Sequence, residues 1–133
     1  MIVVDSSVLI ALFRGVHTPP ADRLRQIERT RTPFVIPAIC CQEVLQGAAN
    51  EREWKLLFKY LSSQHILLAA DAFAAHVEAG RIFFDCRRRG VTVRSSVDCL
   101  IAQLVLEVDG ELLHDDVDFE QIRRVRPLKT LRG

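Results

Sequence analysis

A three-layer α/β domain, with helices on both faces of a central parallel sheet, is the fold class the sequence predicts, and three observations carry it. Short apolar, β-branched runs alternate with longer amphipathic stretches along the whole chain. A parallel strand reached through a helix requires a right-handed crossover, and successive crossovers cover both faces of the sheet. The length, 133 residues, suits one ordinary domain, and a chain 49% apolar and 26% charged with only 6 Gly and 5 Pro has the apolar surface to build one core and no low-complexity segment. Residues 1–133 are therefore read as a single domain.

The elements follow in order. Ile2-Val3-Val4 is a buried strand; the chain turns through Asp5-Ser6-Ser7 into an apolar helix over 8–13 that Gly15 closes. Pro19 and Pro20 open a second helix, carried to about Arg31 by Leu24, Ile27 and a basic outer face, and Phe34-Val35-Ile36 is the second strand. Pro37 starts a helix that Gly47 stops, and another helix runs over 50–61. Residues 66–68 form the third strand, and Asp71 caps a long helix that ends before Gly90. Ser95 begins a helix through Val108, Asp109-Gly110 turns the chain, and 111–113 is the fourth strand. A short helix over 116–124 and an edge strand within 127–131 complete the set.

The composition excludes several classes. The longest uninterrupted apolar runs, such as 66–70, fall far short of the roughly 18 to 20 residues that cross a bilayer, so a soluble protein is expected. Met1 leads directly into a strand, without a basic n-region or cleavage site, which predicts no export signal. The four cysteines, 40, 41, 86 and 99, have neither zinc spacing nor a plausible disulfide framework, which points to a reducing cytoplasm.

In open parallel sheets ligands sit beyond the carboxyl ends of the strands, which draws attention to Asp5 and to Asp115-Asp116-Val117-Asp118. Each acid also has a structural reading. Asp5 suits an N-cap, Ser95-Ser96-Val97-Asp98 resembles a capping box, and the aspartates at 115, 116 and 118 suit a solvated loop or helix cap without the glycine and distal glutamate of an EF-hand. Glu43, flanked by Cys40, Cys41, Val44 and Leu45, needs a partner or a metal. The α/β topology brings these acids to one sheet edge. Two carboxylates about 4 Å apart repel by roughly 4 kcal/mol at an effective dielectric near 20, so three or four together make sense around a cation. Oxygen-only ligation points to magnesium, or manganese in its place, and such an ion activates water and neutralises a leaving oxygen, the requirements of phosphodiester hydrolysis.

Four segments then match a known family in order and spacing: Val4-Asp5-Ser6-Ser7-Val8-Leu9-Ile10; Pro37 with Glu43-Val44-Leu45-Gln46-Gly47; Gly90-Val91-Thr92-Val93-Arg94-Ser95-Ser96-Val97-Asp98-Cys99-Leu100-Ile101-Ala102; and His114-Asp115-Asp116-Val117-Asp118-Phe119. Across essentially the whole chain the sequence resembles the PIN-domain ribonucleases, specifically the VapC-type toxins of bacterial toxin–antitoxin pairs. The resemblance implies a PIN-like α/β/α fold and a magnesium-dependent endoribonuclease that cuts structured RNA, notably tRNA, and inhibits translation. It implies a catalytic pocket of Asp5, Glu43, Asp98 and Asp116, with Asp118 close by and the Ser7 hydroxyl beside it. Asp5 and Asp98 are expected as direct metal ligands, Asp116 and Asp118 as holders of metal-bound water, and Glu43 as ligand of a second ion or as the group orienting the attacking water. The chain departs from the commonest pattern at His114, where many members carry Thr, and at Asp115, where a basic residue is common. His114 is read as a strand-end structural residue.

Fifteen of the 18 cations are arginine, and residues 81–94 hold Arg81, Arg87, Arg88, Arg89 and Arg94 against Asp85 alone, a local charge of +4. Apart from the five pocket acids the chain carries +6, which suits a polyanion, and Arg94 is the residue expected to meet substrate phosphate at the rim. The family further implies a homodimer and a cognate antitoxin; Trp54, Leu57, Phe58 and Leu61 are read either as an interface or as a buried stripe. Two other readings compete. A catalytically silent PIN fold would act as a binding module, but it would lose acids that this chain keeps. A receiver-type phosphoacceptor domain needs an acid pair after the first strand, where Asp5 stands alone.

Overall fold

The computed structural model describes residues 1–131 and 133. Its elements are β1 (Ile2–Val4), α1 (Ser6–Phe13), α2 (Pro19–Arg29), β2 (Phe34–Pro37), α3 (Ala38–Gln46), α4 (Glu51–Ser62), β3 (His65–Leu67), α5 (Ala72–Arg88), α6 (Ser96–Glu107), β4 (Glu111–Leu113), α7 (Val117–Ile122) and β5 (Lys129–Leu131). The five strands form one parallel sheet in the order β3-β2-β1-β4-β5. Helices α1 to α4 pack among themselves, and α5, α6 and α7 form a second group. No helix among the described residues is long and apolar enough to cross a membrane.

Local chemistry explains the boundaries. The Thr18 hydroxyl accepts from Ala21 N and Pro19-Pro20 supply the first turn of α2, while Asn50 and Asp71 cap α4 and α5 by accepting from Glu53 N and Ala74 N. The expected Ser95–Asp98 capping box does not form. The Ser95 hydroxyl makes no cap bond, and a carboxylate from another element, Asp118, takes the amides there instead. Helix α1 starts at Ser6, two residues earlier than the apolar pattern suggests, because Asp5 already accepts from Ser7 N. Strand β3 begins at His65, set by the pairing of Val35 with His65 and Ile36 with Ile66.

Val3, Val4, Leu112 and Leu113, the buried residues of the two central strands, lie at the middle of the core with Leu9, Ile101, Val105 and Phe119 packed over them. Of the apolar residues in α4, Leu57 and Leu61 join that core, while Trp54 and Phe58 stay exposed. The turn into β4 is tight. A side chain at Gly110 would approach Met1 O to 3.0 Å and Val3 Cγ2 to 3.2 Å, so this position needs glycine for close approach. The strand order reverses at β1, whose neighbours are β2 on one side and β4 on the other. The crevice beyond the carboxyl ends of β1 and β4 is the natural ligand site of such a sheet.

Candidate metal centre and active site

Asp5 directly follows β1, and Val4 pairs with Leu113, the last residue of β4. The Asp5 amide donates to Leu113 O at 3.0 Å, so Asp5 and the turn from β4 to α7 start from adjacent points of the sheet edge. The Asp5 side chain is buried, with Oδ2 accepting from Ser7 N (3.0 Å) and Ser7 Oγ (2.6 Å) and Oδ1 accepting from Cys40 Sγ (3.7 Å). Asp5 is thus the N-cap of α1 and a buried carboxylate just beyond the end of β1. Ser7 Oγ also accepts from Asp115 N at 3.0 Å, so the Ser7 hydrogen is spent on Asp5 and its oxygen braces the β4–α7 turn. Ser7, expected beside the pocket, is tied to Asp5 and Asp115 through its amide and its hydroxyl.

Helix α3 carries Cys40 and Glu43 one turn apart on the same face. Ser6 Oγ donates to Glu43 Oε1 at 2.9 Å, and Asp5, Cys40 and Glu43 place ligand atoms within 4.8 Å of one another. Asp98, Asp116 and Asp118 form a second set of the same compactness. The two sets lie within electrostatic reach of one another: Asp5 feels the charge of Asp116, Glu43 that of Asp5 and Asp116, and Asp98 that of Asp116 and Asp5. Ser6 and Cys40 were missed in the sequence. Their signal was available, since Ser6 adjoins the strand-end acid and Cys40 sits three residues before Glu43 in a helix.

Asp98, in the first turn of α6, is strongly perturbed. Burial, then the charges of Asp116 and Asp5, push its carboxyl up to about 9, and its Oδ2 is buried with no hydrogen-bond partner among the described residues. Burial also raises Asp5 and Glu43. Asp118 behaves oppositely: burial pushes it upward, but the amides of Arg94 and Ser95 outweigh that and hold it below the usual carboxylate range. An orphaned carboxylate oxygen among mutually repelling acids, with hard oxygen donors in two sets, Asp5 with Glu43 and Asp98 with Asp116 and Asp118, fits a divalent cation.

The loop after β4 is organised by His114. Asp116 N donates to its Nδ1 at 3.1 Å, which leaves the ring hydrogen on Nε2 to donate to Glu120 Oε2 at 2.9 Å, and the ring lies against Phe119. Both ring nitrogens are engaged, which suits a structural role at the strand end. Asp115 is exposed, with its amide on Ser7. At the rim, the 70% exposed Arg94 side chain places Nε 3.4 Å from Asp118 Oδ1 and an η-nitrogen 3.9 Å from Asp116 Oδ1.

Two cavities lie apart from the acids. One of about 570 Å³ is lined by α1, α3, α4 and the α3–α4 loop, including Ile10, Phe13, Val44, Leu56 and Leu57. A smaller one, about 250 Å³, lies where α5 meets the loop before Arg94.

Comparison with known proteins agrees with this architecture. Residues 2–125 match the PIN domain family. The chain is 32% identical over 133 residues to "VapC ribonuclease Mb1587" of Mycobacterium bovis, covering 98% of this chain and 97% of that protein, and equally to "Ribonuclease VapC11" of Mycobacterium tuberculosis. Among solved structures it resembles VapBC-1 from nontypeable Haemophilus influenzae (TM-score 0.73, 19% identity, 98% and 97% of the two chains covered) and the DNA-bound VapBC from Salmonella typhimurium (TM-score 0.73, 18% identity, 98% and 96%).

Proposed function

The chain belongs to the PIN-domain family, among its VapC ribonucleases, and from that premise we propose that it is a magnesium-dependent endoribonuclease, the toxin of a toxin–antitoxin pair, which cuts structured RNA such as tRNA and so arrests translation. The observation that carries the reading is Asp98 Oδ2, buried and unpartnered among Asp5 and Asp116.

Asp5 and Asp98 would hold the ion, with Asp116 beside them. A bound Mg²⁺, or Mn²⁺ in its place, supplies Lewis-acid polarisation of a phosphate oxygen and a more acidic water. The protein's own groups do the rest. Glu43, anchored through Oε1 by Ser6 and raised by burial, keeps Oε2 free to take the proton of the attacking water. Ser7 and Cys40 hold the two oxygens of Asp5 in place. Arg94 extends from the rim, where its exposed guanidinium meets backbone phosphate.

The antitoxin belongs to the same proposal, since the proteins of similar fold are VapBC assemblies. The cavity beside α1, α3 and α4, with Leu56 and Trp54 exposed near it, offers an apolar segment of such a partner a seat. A homodimer is proposed as well, on the exposed Leu68, Phe73 and Val77, which lie just after β3 and in the first part of α5. The protein acts in the cytoplasm, where its four cysteines stay free thiols. The test is cleavage of purified total RNA: products that appear with Mg²⁺ or Mn²⁺ and vanish with chelator support the reading, and intact RNA at equal ion and protein concentrations overturns it.

A further inference from the structure

We propose that Asp118 is a positioning residue that clamps the start of α6, and with it Asp98, against the β4–α7 turn, rather than a ligand of the metal. This rests on the reading of Asp98 and Asp116 as metal-holding acids. The Asp118 carboxylate is spent on α6: Oδ2 accepts from Arg94 N at 3.1 Å and Ser95 N at 2.9 Å, and Oδ1 faces Arg94 Nε at 3.4 Å. Only 2% of the residue is exposed. Ser95, at the N-cap, makes no side-chain cap bond of its own, so the two amides that lead into the helix depend on Asp118.

The clamp has a second end. Asp118 N donates to Asp116 Oδ1 at 2.9 Å, and Asp116 N donates to His114 Nδ1 at 3.1 Å. Asp118 therefore joins the acid on the β4–α7 turn to the helix whose third residue is Asp98. Fixing residues 94 and 95 fixes where α6 begins, and thus the separation of Asp98 from Asp116. The contrast within the cluster separates the roles: Asp98 keeps a buried oxygen with no hydrogen-bond partner among the described residues, whereas Asp118, although its carboxylate lies within 4.8 Å of those of Asp98 and Asp116, has three N–H groups on its two oxygens. Carboxylates that orient the ligands of a metal are themselves held in place by such hydrogen bonds.

The experiment compares Asp118→Asn, Asp118→Ala and Asp98→Asn in two measurements: hydrogen exchange of the Arg94 and Ser95 amides in chelator, and calorimetric titration with Mn²⁺ alone. The Asn carbonyl oxygen still accepts from both amides, so Asp118→Asn should leave exchange near wild type and weaken Mn²⁺ binding by no more than about fivefold. Asp118→Ala should speed exchange at both amides about tenfold, lower Tm by about 5 °C and weaken Mn²⁺ about tenfold, as the loss of an orienting group does. Asp98→Asn should abolish Mn²⁺ binding and leave the two amides protected. Loss of Mn²⁺ binding in Asp118→Asn as complete as in Asp98→Asn would make Asp118 a ligand and overturn the proposal. Wild-type exchange in Asp118→Ala would overturn it equally. Wild-type protein that binds no Mn²⁺ would instead sink the metal reading, with the exchange measurement still deciding the clamp.

Discussion

Ser6 Oγ donates to Glu43 Oε1 at 2.9 Å, a bond that links the first residue of α1 to the middle of α3. It leaves Glu43 a single free oxygen and fixes where that oxygen points. Ser6→Ala should therefore lower the cleavage rate about tenfold while changing stability by no more than about 1 kcal/mol, because the loosened carboxylate is partly solvated. Single-turnover cleavage beside thermal melting checks this. An unchanged rate would show that Glu43 does not need the anchor.

The acids also set a pH dependence of stability. Asp98 keeps its proton in the folded state up to about 9, pushed there by burial and by the charges of Asp116 and Asp5, whereas in the unfolded chain it ionises near the ordinary carboxylate value. Between those limits the folded state binds more protons, so stability falls as pH rises. Burial raises Asp5 and Glu43 in the same sense; Asp118, held low, acts only in the more acid range. Protein in chelator should melt at a lower temperature at about pH 8 than at about pH 5, and Mg²⁺ should recover much of the loss at the higher pH. Asp98→Asn should flatten the profile and raise the melting temperature of the metal-free protein at the higher pH. A flat wild-type profile in chelator would mean that the acids do not confront one another as described.

Arg94 offers a test of the rim. Its side chain is 70% exposed, and its contacts to Asp118 and Asp116 are 3.4 and 3.9 Å, so Arg94→Ala should alter stability by less than about 1 kcal/mol. RNA affinity in an uncleaving Asp5→Asn background should fall, and the salt slope should shrink by a little under about one unit, with Mn²⁺ affinity nearly unchanged. Lysine should restore only part of the affinity. An unchanged slope would confine Arg94 to its intramolecular pairs.

Gly110 tests the strand pair that creates the crevice. A methyl group there meets Met1 O at 3.0 Å, the oxygen that accepts from Glu111 N at 2.8 Å in the β1–β4 pairing. Gly110→Ala should cost about 1 to 3 kcal/mol in urea unfolding, as overpacking against backbone does. A wild-type midpoint would show that the β1–β4 edge yields without strain.

The sequence by itself determined the order and kind of every element, because short β-branched runs and 3.6-residue apolar periods are local properties, and so is the capping residue Asp71. It also placed Asp5 and Asp116 beyond strand ends, since position relative to a strand can be read along the chain. What it did not reveal was which partner each acid holds. Ser95 and Asp98 have the spacing of a reciprocal cap, yet the amides of Arg94 and Ser95 go to Asp118, 23 residues or more further on. Cys40 and Ser6 reach Asp5 and Glu43 only once α3 lies beside β1. Tertiary structure decided these roles because a carboxylate's behaviour depends on the donors and charges that surround it. The parallel sheet brings those groups together from segments some 110 residues apart, as in the bond from Asp115 N to Ser7 Oγ with its separation of 108. The same packing that satisfies Asp118 leaves one oxygen of Asp98 unpaired, and that difference no local pattern encodes.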